Sequence, residues 1–180
     1  MNEMDRIDRI REVVLQPGDF HFGVGDTRIR TLLGSCVSIT MWHPEERIGG
    51  MCHYMLPSRN AKQAVLDGRY ADEAMELFLR EIRGTGTHPS EYHIKAFGGG
   101  NMFPGIAKRC SCGGGMRIDC MSVSCRNAGI ASRIVAMHGF EIGAHDLGGE
   151  GHRNIAFDVW SGHVWVRHAR VPVELGRMAA

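Results

Sequence analysis

Short runs of apolar and β-branched residues, bounded by turn formers, predict a protein built mainly of strands. The most informative pair of runs covers residues 31–42 and 48–57. Between them lies His43-Pro44-Glu45-Glu46, which has the length of a hairpin connection and a proline that cannot continue a central strand. We therefore predict an antiparallel hairpin closed by these four residues.

The register of this hairpin brings two chemically useful side chains together. With that loop, Trp42 lies opposite Arg47, and counting back along both strands places Cys36 opposite His53. Directly opposed residues on one face have Cβ atoms roughly 4.5–5.5 Å apart, so a thiol would meet an imidazole. A loop one residue longer would turn His53 to the other face. The alternative is that both are ordinary core residues, since free cysteine is among the most buried residue types.

Two further segments have the apolar spacing of amphipathic helices, residues 70–83 and 127–138, and each is followed by glycine. Additional strands are predicted over residues 20–23, 28–33, 91–97, 140–144, 154–160 and 163–168. Strands outnumber helices, and hairpin connections favour antiparallel pairing. We therefore expect an α+β layered fold with largely antiparallel strands and two main helices.

The ends of the chain are expected to lie outside this domain. Residues 4–16 carry apolar side chains at helix-like spacing, but Pro17-Gly18 stops the pattern. This predicts an N-terminal arm or short helix over residues 1–17, a single domain over 18–170 and a tail over 171–180.

Composition and charge exclude several function classes. The chain has 180 residues, 43% of them hydrophobic and 23% charged, which is ordinary for a globular domain. A net charge of +1 gives no electrostatic reason to expect binding to nucleic acid or to an anionic membrane. No run approaches the roughly 20 apolar residues of a membrane helix, and the N-terminus lacks the apolar region of a signal peptide. We expect a cytoplasmic protein without direct membrane insertion.

Six cysteines in a chain with no export signal are expected to be reduced thiols. Four of them, Cys110, Cys112, Cys120 and Cys125, fall close together, and clustered thiolates can bind zinc. Their spacing lacks the usual C-x2-4-C pairs of zinc sites. The sequence therefore favours plain thiols, and no metal is expected.

A glycine-rich loop opens at Gly98-Gly99-Gly100, directly after a predicted strand. Such a loop could cradle a phosphate, but the G-x-x-x-x-G-K-[ST] and G-x-G-x-x-G spacings are both absent. Close approach of another backbone, or of a bound partner, explains the glycines better than nucleotide binding does.

Several motifs together resemble one known family. Residues 33–37, Leu-Gly-Ser-Cys-Val, and 49–57, Gly-Gly-Met-Cys-His-Tyr-Met-Leu-Pro, look like the signature of the CheD chemoreceptor glutamine deamidases. The later segments agree in the same order: Phe-Gly-Gly-Gly-Asn-Met-Phe at 97–103, Arg-Asn at 126–127, and Asp-Leu-Gly-Gly at 146–149 followed by Arg153. The resemblance is collinear from about residue 18 to residue 168.

The resemblance implies an α/β/β sandwich, similar to that of the deamidating cytotoxic necrotizing factor toxins. It implies hydrolysis of particular glutamine side chains on methyl-accepting chemotaxis proteins, with a cysteine thioester intermediate, release of ammonia and no cofactor. Some family members also bind the phosphatase CheC. The alternative is a non-catalytic adaptor that binds receptors or CheC.

The family's site residues carry over to named positions of this chain. Cys36 would be the nucleophile and His53 its base and acid, with backbone N–H groups around Gly34 and Ser35 as oxyanion donors. The family's third residue is a threonine six residues before the cysteine, where this chain has Arg30. Thr31 stands five residues before it, and we assign the role to Thr31.

Overall fold

The computed structural model describes residues 10–59, 63–103 and 116–170. Within those ranges it contains nine strands and two α-helices. The strands are β1 (Arg11–Val14), β2 (Phe20–Val24), β3 (Thr27–Leu33), β4 (Val37–His43), β5 (Ile48–Cys52), β6 (His93–Gly98), β7 (Ile142–Leu147), β8 (His152–Asp158) and β9 (His163–Ala169). The helices are α1 (Ala71–Thr85) and α2 (Val123–Met137), and a 3-10 turn covers Pro89–Glu91. None of the described helices has the length and apolar character that crossing a membrane would need.

The strands form two sheets. One has the order β1-β3-β8-β9 and the other the order β2-β5-β4-β6-β7. Only β1–β3 and β6–β7 pair in parallel, and the other pairs described are antiparallel. The prediction of a largely antiparallel α+β fold is confirmed.

The layers follow from the alternation of side chains along the strands of the five-stranded sheet. One face carries Val37, Ile39 and Met41, which pack against helix residues such as Phe78 and Ile134. The opposite face packs on the four-stranded sheet through a second buried cluster, which contains Leu15, Ile29, Leu33, Met51, Phe97, Ile155, Phe157 and Val159. Helices, five-stranded sheet and four-stranded sheet therefore form an α/β/β sandwich, as expected.

The N-terminal segment differs from the prediction of an arm or short helix. Residues Arg11–Val14 form strand β1, which pairs in parallel with Thr27–Arg30 of β3. Val13 packs against the core between the sheets, and Leu15 is buried there. Apolar residues at 13 and 15 fit the period of a strand, and the free edge of β3 supplies the hydrogen bonds that an isolated short helix would lack.

The register of the β4–β5 hairpin also differs from the prediction. Trp42 lies opposite Gly49 rather than Arg47, and His43 pairs with Ile48, so the loop is formed by residues 44–47. The loop closes one residue later than expected because Arg47 adopts a left-handed conformation, with φ 52°, and donates its N–H to the carbonyl of His43. The shift amounts to two positions, so every side chain keeps its predicted face.

Candidate functional site

Three of the residues predicted from the sequence lie at the space between the two sheets, and two of them, Thr31 and His53, are in contact. Thr31 lies in β3 of the four-stranded sheet, whereas Cys36 and His53 flank β4 and β5 of the five-stranded sheet. Thr31 and His53 are buried, and the partly exposed Cys36 packs against the cluster between the sheets. The site therefore lies where the ends of neighbouring strands reach the rim of the sandwich.

Cys36 and His53 share a face but are not directly opposite. A bridge joins Val37 to Tyr54, which places position 38 opposite His53 and makes Cys36 its diagonal neighbour. Diagonal neighbours have Cα atoms about 7–8 Å apart, close enough for side chains to approach. The predicted direct opposition is thus wrong by two positions, although the shared face is correct. The Nε2 atom of His53 is buried and has no hydrogen-bond partner among the described residues.

The hydroxyl of Thr31 lies between the Leu15 carbonyl and the Nδ1 atom of His53. Thr31 Oγ1 donates to the carbonyl of Leu15 over 2.9 Å and lies 2.7 Å from His53 Nδ1. A hydroxyl has one proton to donate, and here Leu15 accepts it. The oxygen can then accept a hydrogen bond from Nδ1–H, and the Leu15 carbonyl also accepts one from the His53 ring. This arrangement corresponds to the tautomer that has its lone pair on Nε2.

Burial keeps both the imidazole and the thiol neutral. It lowers the pKa of His53 to about 4, an effect that the charge of Asp19 and a hydrogen bond with the Leu15 carbonyl only partly oppose. Burial also raises the pKa of Cys36, against a smaller lowering by a hydrogen bond from Ser35. A neutral imidazole with a free Nε2 beside a neutral thiol can accept the thiol proton during attack. The resting site is therefore not a thiolate–imidazolium pair.

The turn before β4, residues Gly34-Ser35-Cys36, is held by its carbonyl groups. The carbonyl of Gly34 accepts from Gly100 N–H over 2.9 Å, and that of Cys36 accepts from Gly99 N–H over 2.7 Å. Among the described residues, the amide N–H groups of Ser35 and Cys36 have no backbone acceptor. This arrangement can stabilise a negatively charged oxygen that develops near the sulfur.

The glycine-rich loop makes these contacts because no side chain fits there. A Cβ atom on Gly98 would lie 2.3 Å from the carbonyl oxygen of Cys36, and Gly98 has φ +114°. A Cβ atom on Gly100 would lie 2.1 Å from the carbonyl oxygen of Gly151. The interpretation that another backbone approaches these glycines is confirmed.

Sequence reasoning missed two contributors to the site. One is the backbone carbonyl of Leu15, an atom that every residue type supplies and that no motif could reveal. The other is Asn127, whose side-chain amide donates to the carbonyls of Ser35 and Met55. An arginine–asparagine pair at the start of a predicted helix was the only signal for Asn127.

The cysteine cluster is only partly described. Cys110 and Cys112 lie outside the described residues. Cys125, in the first turn of α2, accepts a hydrogen bond from the Arg117 N–H at 3.3 Å. Across residues 10–59, 63–103 and 116–170, no group of three or more histidine, cysteine or acidic side chains could hold a metal ion.

Comparison with known proteins agrees with the motifs. The family model described as CheD chemotactic sensory transduction matches residues 55–168. A protein of Pseudomonas savastanoi pv. phaseolicola, named probable chemoreceptor glutamine deamidase CheD, is 50% identical over 161 residues, 88% of this chain and 85% of that protein. A Dechloromonas aromatica protein named probable chemoreceptor glutamine deamidase CheD 3 is 48% identical and covers 87% of both chains. A Leptospira interrogans protein named probable chemoreceptor glutamine deamidase CheD 1 is 37% identical over 88% of this chain and 93% of its own. This chain belongs to the CheD family.

Proposed function

We propose that this protein is a protein-glutamine deamidase that converts specific glutamines of methyl-accepting chemotaxis receptors to glutamate. Cys36 is the nucleophile, His53 the base and acid, and Thr31 the residue that orients His53. The observation that carries the proposal is the contact between Thr31 and His53 Nδ1, which leaves Nε2 unprotonated on the face that it shares with Cys36. The names of the relatives support the substrate class.

The first chemical step is attack on the glutamine side chain. His53 Nε2 accepts the proton of the Cys36 thiol as the sulfur bonds to the amide carbon. The carbonyl oxygen becomes an oxyanion, which the N–H groups of Ser35 and Cys36 stabilise while Gly34 permits the tight turn. General acid–base help is typically worth about 10²–10⁴-fold, and one oxyanion donor about 10²–10³-fold.

Two further proton transfers complete the reaction. Protonated His53 gives its proton to the amide nitrogen, so ammonia leaves and a thioester to Cys36 remains. His53 then accepts a proton from water as the water oxygen attacks the thioester carbon. Collapse of that intermediate releases glutamate and returns the proton to the thiolate sulfur. Water is the only co-reactant that these steps consume, so the proposed mechanism needs no metal or organic cofactor.

The hydrogen bond between Cys36 and His53 forms in the complex with substrate. Hydrogen bonds of this kind are often long in free enzymes and tighten when the substrate is bound. Both residues already face the space between the sheets, so rotation of the partly exposed Cys36 side chain toward Nε2 would bring the two groups together.

The biological setting follows from the same proposal. The substrate glutamines lie on the cytoplasmic rods of the receptors, so the enzyme acts in the cytoplasm without inserting in the membrane. A CheC-type phosphatase is a second partner, and nucleic acid is not one. Residues 18–170 form the deamidase domain, onto which strand β1 packs.

Intact-mass analysis of a receptor cytoplasmic fragment tests the proposal. Incubation with the wild-type protein should add about one dalton per modified glutamine, because an amide becomes an acid. Cys36→Ala and His53→Ala should abolish the change. Cys52→Ala is the matched control, since Cys52 is fully buried on the helix-facing side of the same sheet. If Cys36→Ala deamidates the fragment as fast as the wild type, the assignment of Cys36 as nucleophile is wrong; if the wild-type protein does not deamidate it, the adaptor role takes the place of the enzyme.

A further inference from the structure

Asn127 connects helix α2 to both sides of the proposed active site. Its side chain is fully buried, and Nδ2 donates to the carbonyl oxygens of Ser35, at 3.0 Å, and Met55, at 2.7 Å. Ser35 directly precedes Cys36, and Met55 follows His53 by two residues. One amide group therefore joins the backbone beside the nucleophile to the backbone beside the base.

The orientation of this amide is fixed by its partners. Both acceptors are carbonyl oxygens, so the atom facing them must be the nitrogen, and its two protons are both used. The oxygen Oδ1 is buried without a hydrogen-bond partner among the described residues. Among the described residues, the side-chain amide of Asn127 therefore hydrogen-bonds only to these two backbone carbonyls.

The hydrogen bond to the Ser35 carbonyl also fixes the Cys36 N–H, which lies on the other side of the same peptide group. The peptide between Ser35 and Cys36 is trans. In a trans peptide the C=O and the following N–H point in opposite directions within one plane. Holding the carbonyl of Ser35 toward Asn127 therefore aims the N–H of Cys36 away from Asn127. That N–H is one of the two oxyanion donors in the proposed mechanism.

We propose that Asn127 is a positioning residue for deamidation, which aims the Cys36 N–H at the developing oxyanion through the Ser35–Cys36 peptide. The inference rests on the proposed function. Asn127 does not touch the substrate, and it leaves the reactivity of the thiol itself to His53. Its loss should therefore impair steps that form an oxyanion and spare those that do not.

Tyr54 offers a control in the same place. Its hydroxyl donates to the backbone carbonyl of Asn127 over 2.7 Å, so it also joins the β5 side of the site to α2. It makes no hydrogen bond to Ser35. Tyr54→Phe removes a buried bond at the same residue of α2 and leaves the Ser35–Cys36 peptide held by Asn127.

The test compares two reactions of Cys36 in the full chain. Deamidation of a receptor cytoplasmic fragment passes through an oxyanion, whereas alkylation by iodoacetamide displaces iodide and forms none. In Asn127→Ser the kcat of deamidation should fall on the order of 10²-fold, the cost of one lost oxyanion donor. KM and the alkylation rate of Cys36, followed by peptide mass mapping, should change by no more than a few-fold. Tyr54→Phe should keep kcat within a few-fold of wild type.

Three results would overturn the inference. One is an Asn127→Ser variant with wild-type kcat, and another is an equal fall in deamidation and alkylation. Circular dichroism checks folding, and the isosteric Asn127→Asp replaces Asn127→Ser if the latter is unfolded. The third result is that neither Asn127→Ser nor Asn127→Asp folds while Tyr54→Phe does, which would show that the amide is required only for folding. Failure of the wild-type protein to deamidate is a separate outcome that contradicts the proposed function.

Discussion

Replacing Thr31 by valine removes the hydroxyl while keeping the shape of the side chain. The change deletes hydrogen bonds of 2.9 Å to the Leu15 carbonyl and 2.7 Å to His53 Nδ1. His53 is only 2% exposed, so water cannot replace the lost partner easily. A buried group left without its partner costs about 1–3 kcal/mol. Because the Leu15 carbonyl and the His53 ring still hydrogen-bond each other, we expect a loss of about 1–3 kcal/mol in the free energy of unfolding.

The same substitution should impair catalysis through the protonation state of His53. Without the threonine oxygen, the ring N–H keeps only the Leu15 carbonyl as a partner. The tautomer with a protonated Nε2, which cannot accept the thiol proton, becomes more populated. Because general acid–base help is worth about 10²–10⁴-fold, we expect kcat to fall on the order of 10²-fold. Thr31→Ser keeps the hydroxyl and should remain within a few-fold of wild type.

Time courses of receptor deamidation by intact mass give kcat, and urea unfolding gives stability. The decisive comparison is between the valine and serine variants, which differ from wild type by similar amounts of volume but only one of which lacks the hydroxyl. Equal kcat values in the two variants would refute the argument that the hydroxyl sets the tautomer of His53.

The remaining predictions concern pH and the glycine loop. The pKa of His53 is about 4 in the folded protein and about 6.5 in the unfolded chain, so the unfolded chain binds more protons between these pH values. The free energy of unfolding should therefore fall by about 3 kcal/mol as the pH decreases from 6.5 to 4. Urea unfolding of His53→Ala should lack that part of the pH dependence, and identical profiles would contradict the assignment. Because burial raises the pKa of Cys36, its alkylation by iodoacetamide should keep accelerating above the ordinary thiol pKa of about 8.5, and a plateau at neutral pH would argue against it. Gly98→Ala brings a methyl group within 2.3 Å of the Cys36 carbonyl at φ +114°, so it should lower the free energy of unfolding by about 1–3 kcal/mol and also lower kcat. Gly84 lies in α1 with open space around it, so Gly84→Ala should raise the free energy of unfolding by about 0.5–1 kcal/mol. Similar unfolding midpoints for the two alanine variants would contradict the close-approach argument.

Local patterns in the sequence predicted most of the fold. The helices around Phe78 and Ile134 and most of the strands were found because apolar periodicity is a local property of the chain. The shared face of Cys36 and His53 was also predictable, since alternation survives a register error of two positions. The register itself was not, because it depends on the left-handed conformation of Arg47, which is not typical of arginine.

The parts that could not be predicted depend on contacts between distant segments. Strand β1 forms because β3 offers a free edge, and the apolar positions of residues 10–14 fit a helix equally well. The hydrogen bond from Thr31 ends on a backbone carbonyl, which no residue type distinguishes. The reach of Asn127 to Ser35 joins positions that are 92 residues apart in the chain.

The segment that contains strand β1 and Leu15 limits how far the N-terminus of this protein can be shortened. The carbonyl that receives the Thr31 proton belongs to Leu15, which is itself anchored by its N–H to the carbonyl of Arg30 over 2.8 Å. A truncation starting at residue 18 would keep Cys36, His53 and Thr31, yet it would free the threonine proton to point at the imidazole instead. On the proposed mechanism, proteolytic removal of residues 1–17 would therefore lower the deamidase activity while leaving the reactive side chains intact.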